Sequence, residues 1–222
     1  MQDLIKQEQF ELEVLDKLNA KKFLDYLIFC GGTMLRLCFG LDRFSVDLDF
    51  WLRGIEADSL FLKVKKYLEE NYTLKDAANK FYTLLFELKS REYPRSLKIE
   101  IRKSKEFIKT EPAIAYSPYS NRQLLLRVVS LDEMMQAKIT AFLERKEIRD
   151  VFDIEFLLKR GIKLDVSDNI LRRLLVNVDK LDKKDYTVKL GSLLEENKRR
   201  YYIQENFKIL RLAIKEKLSI DH

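Results

Sequence analysis

The stretch Phe29-Cys-Gly-Gly-Thr-Met-Leu-Arg36, followed closely by Arg43-Phe-Ser-Val-Asp-Leu-Asp-Phe50, decides the fold of this chain. The apolar residues before Gly31 predict a buried strand, and the residues after Gly32 predict a short helix over 34–39. Adjacent glycines let backbone amides approach a ligand closely, and the N-terminus of a helix attracts phosphate. The stretch therefore predicts a phosphate-binding turn, although a glycine pair taken alone is more often an ordinary turn.

The second stretch predicts a strand over 46–52 that carries two carboxylates on one face. Residues two apart on a strand point to the same side, so Asp47 and Asp49 lie together while Leu48 and Phe50 point the other way. Like charges placed this closely repel each other, and a hard divalent cation is their natural neutralising partner. A lone pair of this kind is more often surface alternation, so the argument depends on the strand, glycine pair and helix that precede it.

A third acid fits the same pattern. Residues 97–101 alternate between apolar and charged side chains, which predicts a strand with Glu100 and Lys98 on its outer face. If this strand lies beside Asp47 and Asp49, Glu100 completes a three-carboxylate cluster of the type that holds two Mg²⁺ ions. Glu87, on the preceding predicted strand over 81–88, is the competing candidate, and an ordinary outward-facing residue is the simpler interpretation of Glu100.

The character of the chain changes after about residue 128. The preceding residues predict an amphipathic helix over 3–22, the strands named above, a helix over 57–71 and a further strand over 124–129. Ser130-Leu-Asp-Glu133 is a capping box that starts a helix at Leu131. Four more helices are predicted, at 148–159, 167–177, 186–196 and 200–218. With so short a link, we expect a sheet domain and a helical domain in one rigid body with a cleft.

The composition limits the possible functions. Lysine and arginine number 42 against 36 acidic residues, which gives a formal charge of +6 spread along the chain without a basic tail. This excess is compatible with a nucleic-acid or nucleotide partner, but a solvated surface slightly richer in lysine gives the same value. One histidine excludes sites that need several imidazoles. Tyr201-Tyr202, behind Lys198-Arg199-Arg200, could stack on bases, whereas aromatics packed into a helical core are the more ordinary interpretation.

The cysteines and the apolar runs point to an intracellular protein. Cys30 and Cys38 lie in apolar surroundings, which predicts buried free thiols in a reducing compartment. The longest apolar runs fall far short of the roughly 20 residues that a membrane span needs. The polar N-terminal residues lack the basic and apolar regions of a secretory signal. We therefore expect a cytoplasmic protein with no membrane partner.

Taken together, three motifs of this sequence resemble a known family. Gly31-Gly32-Thr33, the string from Arg43 to Phe50, and the later Arg149-Asp-x-x-Asp153 are similar to those of the AbiEii/AbiGii toxins, a nucleotidyltransferase branch that includes the MenT toxins. The resemblance implies an α+β fold. A nucleotidyltransferase-like mixed sheet domain with flanking helices (1–128) would precede a C-terminal helical domain (129–222) that closes the nucleotide cleft.

The resemblance also implies roles for individual residues. In the glycine turn, Gly31, Gly32 and Thr33 would bind the triphosphate, and Ser45 would lie near the same phosphates. Asp47 and Asp49 would bind Mg²⁺, with Glu100 as the third carboxylate, and two Mg²⁺ ions are expected from the resemblance.

Two more residues match the family in the helical half of the chain. Lys138 matches its lysine and Asp153 its late aspartate. A cation at Lys138 could hold phosphate and stabilise charge on departing pyrophosphate, whereas a solvated lysine is the ordinary alternative. Asp150 and Asp153 share a helix face, and an ion-pair network with Arg145, Lys146 and Arg149 would also account for them.

The implied function is Mg²⁺-dependent transfer of NMP from an NTP to an acceptor hydroxyl. The protein would be the toxin of a toxin–antitoxin pair, acting on the 3′ end of tRNA and paired with a cognate antitoxin protein. One alternative keeps the enzyme class and changes the acceptor to a protein or a small molecule. A second alternative is a non-catalytic nucleotide-binding protein that acts by interaction.

Overall fold

A computed structural model describes residues 1–103 and 108–220 of the chain, without the side chain of residue 220. The chain divides into two compact units, 1–129 and 130–222. The first unit contains three α-helices, one 3-10 turn and seven strands among its described residues. These elements are α1 (Gln2–Ala20), the 3-10 turn Phe23–Tyr26, β1 (Leu27–Cys30), α2 (Gly31–Phe39), β2 (Asp47–Leu52), α3 (Ala57–Asn71), β3 (Thr73–Asn79), β4 (Thr83–Lys89), β5 (Leu97–Arg102), β6 (Thr110–Tyr116) and β7 (Gln123–Val129).

The seven strands form one mixed sheet in the order β3-β4-β5-β2-β1-β7-β6. β2 runs parallel to β5 and antiparallel to β1, and β1 runs parallel to β7. The outer pairs, β3 with β4 and β6 with β7, are antiparallel hairpins. A mixed sheet flanked by helices confirms the predicted α+β fold class.

Alternating burial explains why β2 and β5 present their acids on one face. Leu48 and Phe50 are buried on β2, as are Leu97, Ile99 and Ile101 on β5. Their apolar side chains share the covered face of the sheet, because parallel neighbours in register point the same way. The charged residues of both strands are therefore left together on the opposite face.

Two strands escaped the sequence prediction because both are sheet edges. β3 is the half-exposed segment Thr73–Asn79, whose short and polar side chains give little apolar alternation. β6 contains Pro112, which argues against a central strand but is tolerated at an edge, where one side of the strand makes no ladder hydrogen bonds. The prediction of only five strands was wrong for this reason.

Helices make up the regular structure described in the second unit. They are α4 (Leu131–Arg145), α5 (Ile148–Lys159), α6 (Asp168–Asp179), α7 (Glu196–Glu205) and α8 (Lys208–Ile220). The capping box is confirmed, since the Ser130 side chain accepts a hydrogen bond from the Glu133 N–H. The helix predicted over 186–196 is instead a π-helical turn, Asp185–Leu190, followed by a 3-10 turn, Gly191–Leu193.

The single helix predicted over 200–218 was also wrong. Asn206 and Phe207 have φ angles of 48° and 55°, and this left-handed backbone separates α7 from α8. Phe207 is nonetheless buried against Tyr186 and Tyr202, so tertiary packing holds the break in place. Across both units, no described helix is long and apolar enough to cross a membrane.

The two cysteines behave as predicted. Cys30 and Cys38 are free thiols, the first buried and the second partly so. Burial raises the pKa of the Cys38 thiol to about 12, so it stays protonated at neutral pH.

α1 carries an unusual buried polar face. Glu8 accepts hydrogen bonds from Arg36 and Ser117, while neither carboxyl oxygen of Glu11 has a hydrogen-bond partner among the described residues. Complete burial, reinforced by repulsion from Glu8, raises the pKa of Glu11 well above its usual value despite the attraction of Arg36. Glu11 therefore keeps its proton to a higher pH than a solvated carboxyl group.

Replacing Glu11 by Gln should stabilise the protein more as the pH rises. An acid whose folded pKa is raised destabilises the fold once the pH exceeds its unfolded pKa, and this penalty grows up to the folded pKa. The free energy of urea unfolding, measured between about pH 5 and pH 8, should therefore increasingly favour Glu11→Gln over the wild type.

Glu13→Gln on the same helix is the matched control. Partial burial acts to raise the pKa of Glu13, but hydrogen bonds from Tyr72 and Tyr93 and the nearby Lys17 lower it overall. The stability from this acid is present above its unfolded pKa and is lost as the pH falls. Glu13→Gln should therefore cost stability at neutral pH, with a loss that shrinks in acid. The same pH trend in both variants would contradict the assignment.

Candidate active site

The backbone of Gly31 lies directly against the carboxylate of Asp49. Gly31 has a φ of +80°, and a Cβ built there would overlap the Asp49 carboxylate and lie 2.9 Å from the Asp49 Cβ. The pairing of Cys30 with Asp49 across β1 and β2 brings the two residues together. Both the left-handed backbone and the lack of space require glycine at this position.

Gly32 lies against a second group of side chains. A Cβ at Gly32 would be 2.6 Å from a guanidinium nitrogen of Arg43 and 2.9 Å from the Ser45 Oγ. Thr33 is fully buried, and its hydroxyl donates a hydrogen bond to the backbone carbonyl of Asp47 at 2.5 Å. The start of α2 is thus joined to the loop before β2 and to the first residue of β2.

The sheet register decides between the two candidates for the third carboxylate. Asp49 pairs with Glu100 on the neighbouring strand, whereas Glu87 pairs with Lys98 and lies two strands from β2. Neighbouring strands are about 4.8 Å apart, so Glu100 is roughly half as far from the β2 acids as Glu87 is. Glu87 also faces Lys75, whose Nζ lies 3.8 Å from its carboxylate. The register therefore favours Glu100.

The carboxylates do not form a ready-made metal cluster. Among residues 1–103 and 108–220, no group of three or more His, Cys, Asp or Glu is arranged to hold a metal ion. The adjacency of β2 and β5 is as predicted, but the Glu100 side chain is exposed while Asp47 and Asp49 are half-buried. The donor set of carboxylate oxygens nevertheless has the chemistry that Mg²⁺ prefers, and it fits a divalent ion.

The second unit holds the other residues predicted from the family resemblance. Lys138 on α4 places its Nζ 2.6 Å from Asp153 and 3.3 Å from Asp150, and both acids are completely buried. Arg145 adds two hydrogen bonds to Asp150, at 2.6 and 2.7 Å. Two cations therefore balance two acids, and the interpretation of Lys138 as a solvated lysine was wrong, because its side chain is only 8% exposed.

The predicted ion-pair network is only partly formed. Arg145 joins it, but the Lys146 ammonium donates instead to the carbonyl of Leu143. The Arg149 Nε is buried without a hydrogen-bond partner among the described residues. Lys138 is the central cation of the network, because the packing of α4 against α5 places it opposite both acids. Residue spacing within a single helix could not predict this contact between two helices.

Arg43 is the residue of this site that sequence reasoning passed over. It is 2% exposed, donates a hydrogen bond to the Phe44 carbonyl at 3.0 Å, and packs against Gly32. A buried guanidinium in this position adds positive charge beside the start of α2. The sequence signal that could have identified Arg43 is an arginine between two apolar residues, Leu41 and Phe44, shortly before the acidic strand β2.

The sequence profile described as "Nucleotidyl transferase AbiEii toxin, Type IV TA system" matches residues 13–216. The match covers both units, including the glycine turn, the β2 acids and the Lys138 cluster. The chain belongs to the AbiEii family. It is therefore a nucleotidyltransferase of a toxin–antitoxin family, and the predicted family resemblance is confirmed.

Solved structures support the same fold for this AbiEii-family protein. A crystal structure from H. pylori, described as a candidate nucleotidyltransferase, is 20% identical with a TM-score of 0.56, covering 96% of this chain and 97% of that one. JHP933 from Helicobacter pylori is 19% identical with a TM-score of 0.52, covering 91% and 94%. No curated protein matches the sequence of this chain. At these identities the two structures are evidence for the fold alone.

Gly31→Ala should abolish most of the transferase activity. The added methyl group would push on Asp49, and a displacement of this size at a reacting centre can cost about a hundredfold in rate. Gly54→Ala is the control, because Gly54 has a φ of +67° and a Cβ added there would meet no atom within 4 Å. Both variants carry backbone strain of about 1–2 kcal/mol, but only the first has the steric conflict. Equal transfer rates in the two variants would contradict this account.

Lys138→Met should strongly destabilise the second unit. The change removes the cation that Asp150 and Asp153 share in a buried site, and breaking a buried pair typically costs about 3–5 kcal/mol. Lys65→Met removes an exposed pair with Glu69 on α3 and should cost less than about 1 kcal/mol. The free energies of urea unfolding of both variants test this, and similar losses would count against a structural role for Lys138.

Proposed function

We propose that this AbiEii-family protein transfers NMP from an NTP to an acceptor hydroxyl at the 3′ end of tRNA. The observation that carries the proposal is the meeting of the glycine turn with the acids of the sheet. Gly31 touches Asp49, and Asp49 pairs in register with Glu100. A triphosphate held at the start of α2 would therefore have its reacting phosphorus beside these acids.

The phosphate-binding part of the site would use the start of α2. Phosphate would bind the backbone N–H groups at the N-terminus of α2, where the helix dipole favours negative charge and where Gly31 and Gly32 add no side chain of their own. Ser45 supplies a hydroxyl against Gly32, and the Arg43 guanidinium supplies a fixed positive charge. Thr33 keeps α2 aligned with β2 through its hydrogen bond to the Asp47 carbonyl.

The acids would hold Mg²⁺, with Asp47 and Asp49 as the principal ligands and Glu100 as the third. A bound divalent ion polarises a phosphoryl group and lowers the pKa of an attacking hydroxyl. With the α-phosphorus held next to Asp49, the acceptor hydroxyl attacks in line and pyrophosphate leaves from the opposite side. A Glu100 side chain in solvent can reorient toward the β2 acids when ligand arrives, which is consistent with a cluster that is not formed in advance.

In the second unit, Lys138 and Asp153 would take part in the transfer reaction, as the family resemblance implies. Their 2.6 Å ion pair fixes the lysine side chain. A lysine held in this way costs little further ordering when it binds phosphate. The NTP and tRNA substrates are those of the cytoplasm, so we propose that the protein acts there and that a cognate antitoxin controls it.

The direct test incubates the purified protein with each NTP labelled at the α-phosphate, Mg²⁺ and total tRNA. Label should appear on tRNA and should be lost in Asp47→Asn, which keeps the shape of the side chain but removes its charge. Glu100→Gln should lower the rate substantially, whereas Glu87→Gln, on the next strand, should leave it within about twofold.

The outcomes separate the alternatives. Label transferred to a protein extract instead of tRNA would change the acceptor and keep the enzyme class. Nucleotide-dependent thermal stabilisation with no labelled product in any extract would favour a binding protein without turnover. Full activity in Asp47→Asn would overturn the metal assignment.

A further inference from the structure

The tip of the hairpin between β3 and β4 carries an unusual aromatic pair. Phe81 is 83% exposed and Tyr82 73%, the two highest values among the large hydrophobic residues that the structure describes. Their ring centroids are 4.5 Å apart in an edge-to-face arrangement. Two adjacent aromatic side chains in solvent contribute no burial energy to the fold. Exposed apolar patches of this kind commonly mark interaction sites, which points to a binding role for the pair.

Hydrogen bonds hold the hairpin tip in position. The Lys80 N–H donates to the Thr83 carbonyl, and the Lys103 N–H donates to the Tyr82 carbonyl, both at 2.9 Å. The Lys103 ammonium adds a hydrogen bond to the Lys80 carbonyl at 2.6 Å. The backbone that presents the aromatic pair is therefore fixed before any ligand arrives, which lowers the entropic cost of binding.

Positive charge surrounds the tip. Lys80 and Arg102 are exposed, and the Arg102 guanidinium lies 5.7 Å from the centre of the Trp51 ring. We call the set of Trp51, Lys80, Phe81, Tyr82, Arg102 and Lys103 the hairpin surface. Asn79 donates a hydrogen bond to the nearby Asp58, so that acid is already engaged. Aromatic faces among cations are the combination that binds single-stranded nucleic acid, through stacking and phosphate pairing.

The hairpin surface lies on the far side of the catalytic acids from the glycine turn. Thr33 bonds to Asp47 at the start of β2, whereas Arg102 pairs with Trp51 near the end of β2. Trp51 lies two residues after Asp49 on β2, and Arg102 lies two residues after Glu100 on β5. Both side chains are therefore on the same face of the sheet as the acids. From strand spacing and rise, the hairpin tip is roughly 14 Å from Asp49. An in-line attack requires the acceptor to enter opposite the departing pyrophosphate. With the triphosphate at the start of α2, as proposed above, the acceptor would enter from the side of the hairpin surface.

We propose that the hairpin surface binds the single-stranded end of the acceptor RNA. The bases stack on Phe81 and Tyr82, and the RNA phosphates pair with Lys80 and Arg102. This assignment rests on the proposed transfer to an RNA end, but it concerns binding and can be measured without turnover. The Lys198–Tyr202 segment is the weaker candidate, because Tyr202 is buried against Phe152 and Phe207 and Arg199 bonds to the Gly191 carbonyl.

The test measures binding of a short fluorescein-labelled single-stranded RNA by anisotropy, without NTP. Phe81→Ala and Tyr82→Ala should each raise the Kd about fivefold or more, the range that loss of one stacked base gives. Lys80→Gln and Arg102→Gln should each reduce the slope of log K against log salt by about 0.7. Tyr201→Ala, at an exposed aromatic of the Lys198–Tyr202 segment, should leave the Kd unchanged.

Two further measurements keep the result interpretable. NTP-dependent thermal stabilisation should be the same in Phe81→Ala, Tyr82→Ala and the wild type, since the surface is assigned to the acceptor. RNA binding that is unaffected by these two variants, or lost only in Tyr201→Ala, would overturn the proposal. If both variants instead lost the thermal stabilisation by NTP as strongly as they lost RNA binding, the hairpin surface would be a nucleoside site, and the proposal would be overturned.

Failure of this proposal is distinguishable from failure of the proposed function. If RNA binding weakens in the Phe81 and Tyr82 variants but the wild type labels no tRNA, the assignment of the hairpin surface is supported and the proposed transfer to tRNA is wrong. If the wild type labels tRNA and the two variants do so with an unchanged KM for tRNA, the proposed transfer is supported and the assignment of the hairpin surface is wrong.

Discussion

The close contact between the Gly31 backbone and the Asp49 carboxylate is the constraint on which the site depends. It requires glycine at a left-handed turn, and it requires β1 and β2 to be antiparallel neighbours in one register. A shift of one residue in that register would turn Asp49 into the core and bring an apolar side chain to the start of α2. The same contact and the same register therefore fix both the position of the acids and the position of the glycine turn.

Each unit also buries charged side chains and balances them with groups of opposite charge. In the first unit Glu8 is neutralised by Arg36, while burial raises the pKa of the neighbouring Glu11. In the second unit, Lys138 is balanced by Asp150 and Asp153. Buried ion pairs are poor sources of net stability, but they hold side chains in one geometry.

Local sequence patterns predicted the elements that have strong periodicity or clear end signals. The bounds predicted for α3 and α5 agree with the structure, and the capping box at Ser130 starts α4. Prediction failed where tertiary packing overrides local preference. Among the described strands, β3 and β6 are edges that each pair with one hairpin partner, and the break at Phe207 is held by the aromatic core around Tyr202.

The sequence by itself determined the chemistry of the protein: a glycine turn before a helix, two acids on one strand face, and a family motif that extends into the helical half. Those features are local, because residue type and spacing of two or three residues decide them. Only the tertiary structure decided which distant residues join them. The strand order put Glu100 beside Asp49 and left Glu87 two strands from β2, and the pairing of α4 with α5 buried Lys138 between two acids. These are long-range contacts, set by how whole elements pack, and no spacing along the chain encodes them.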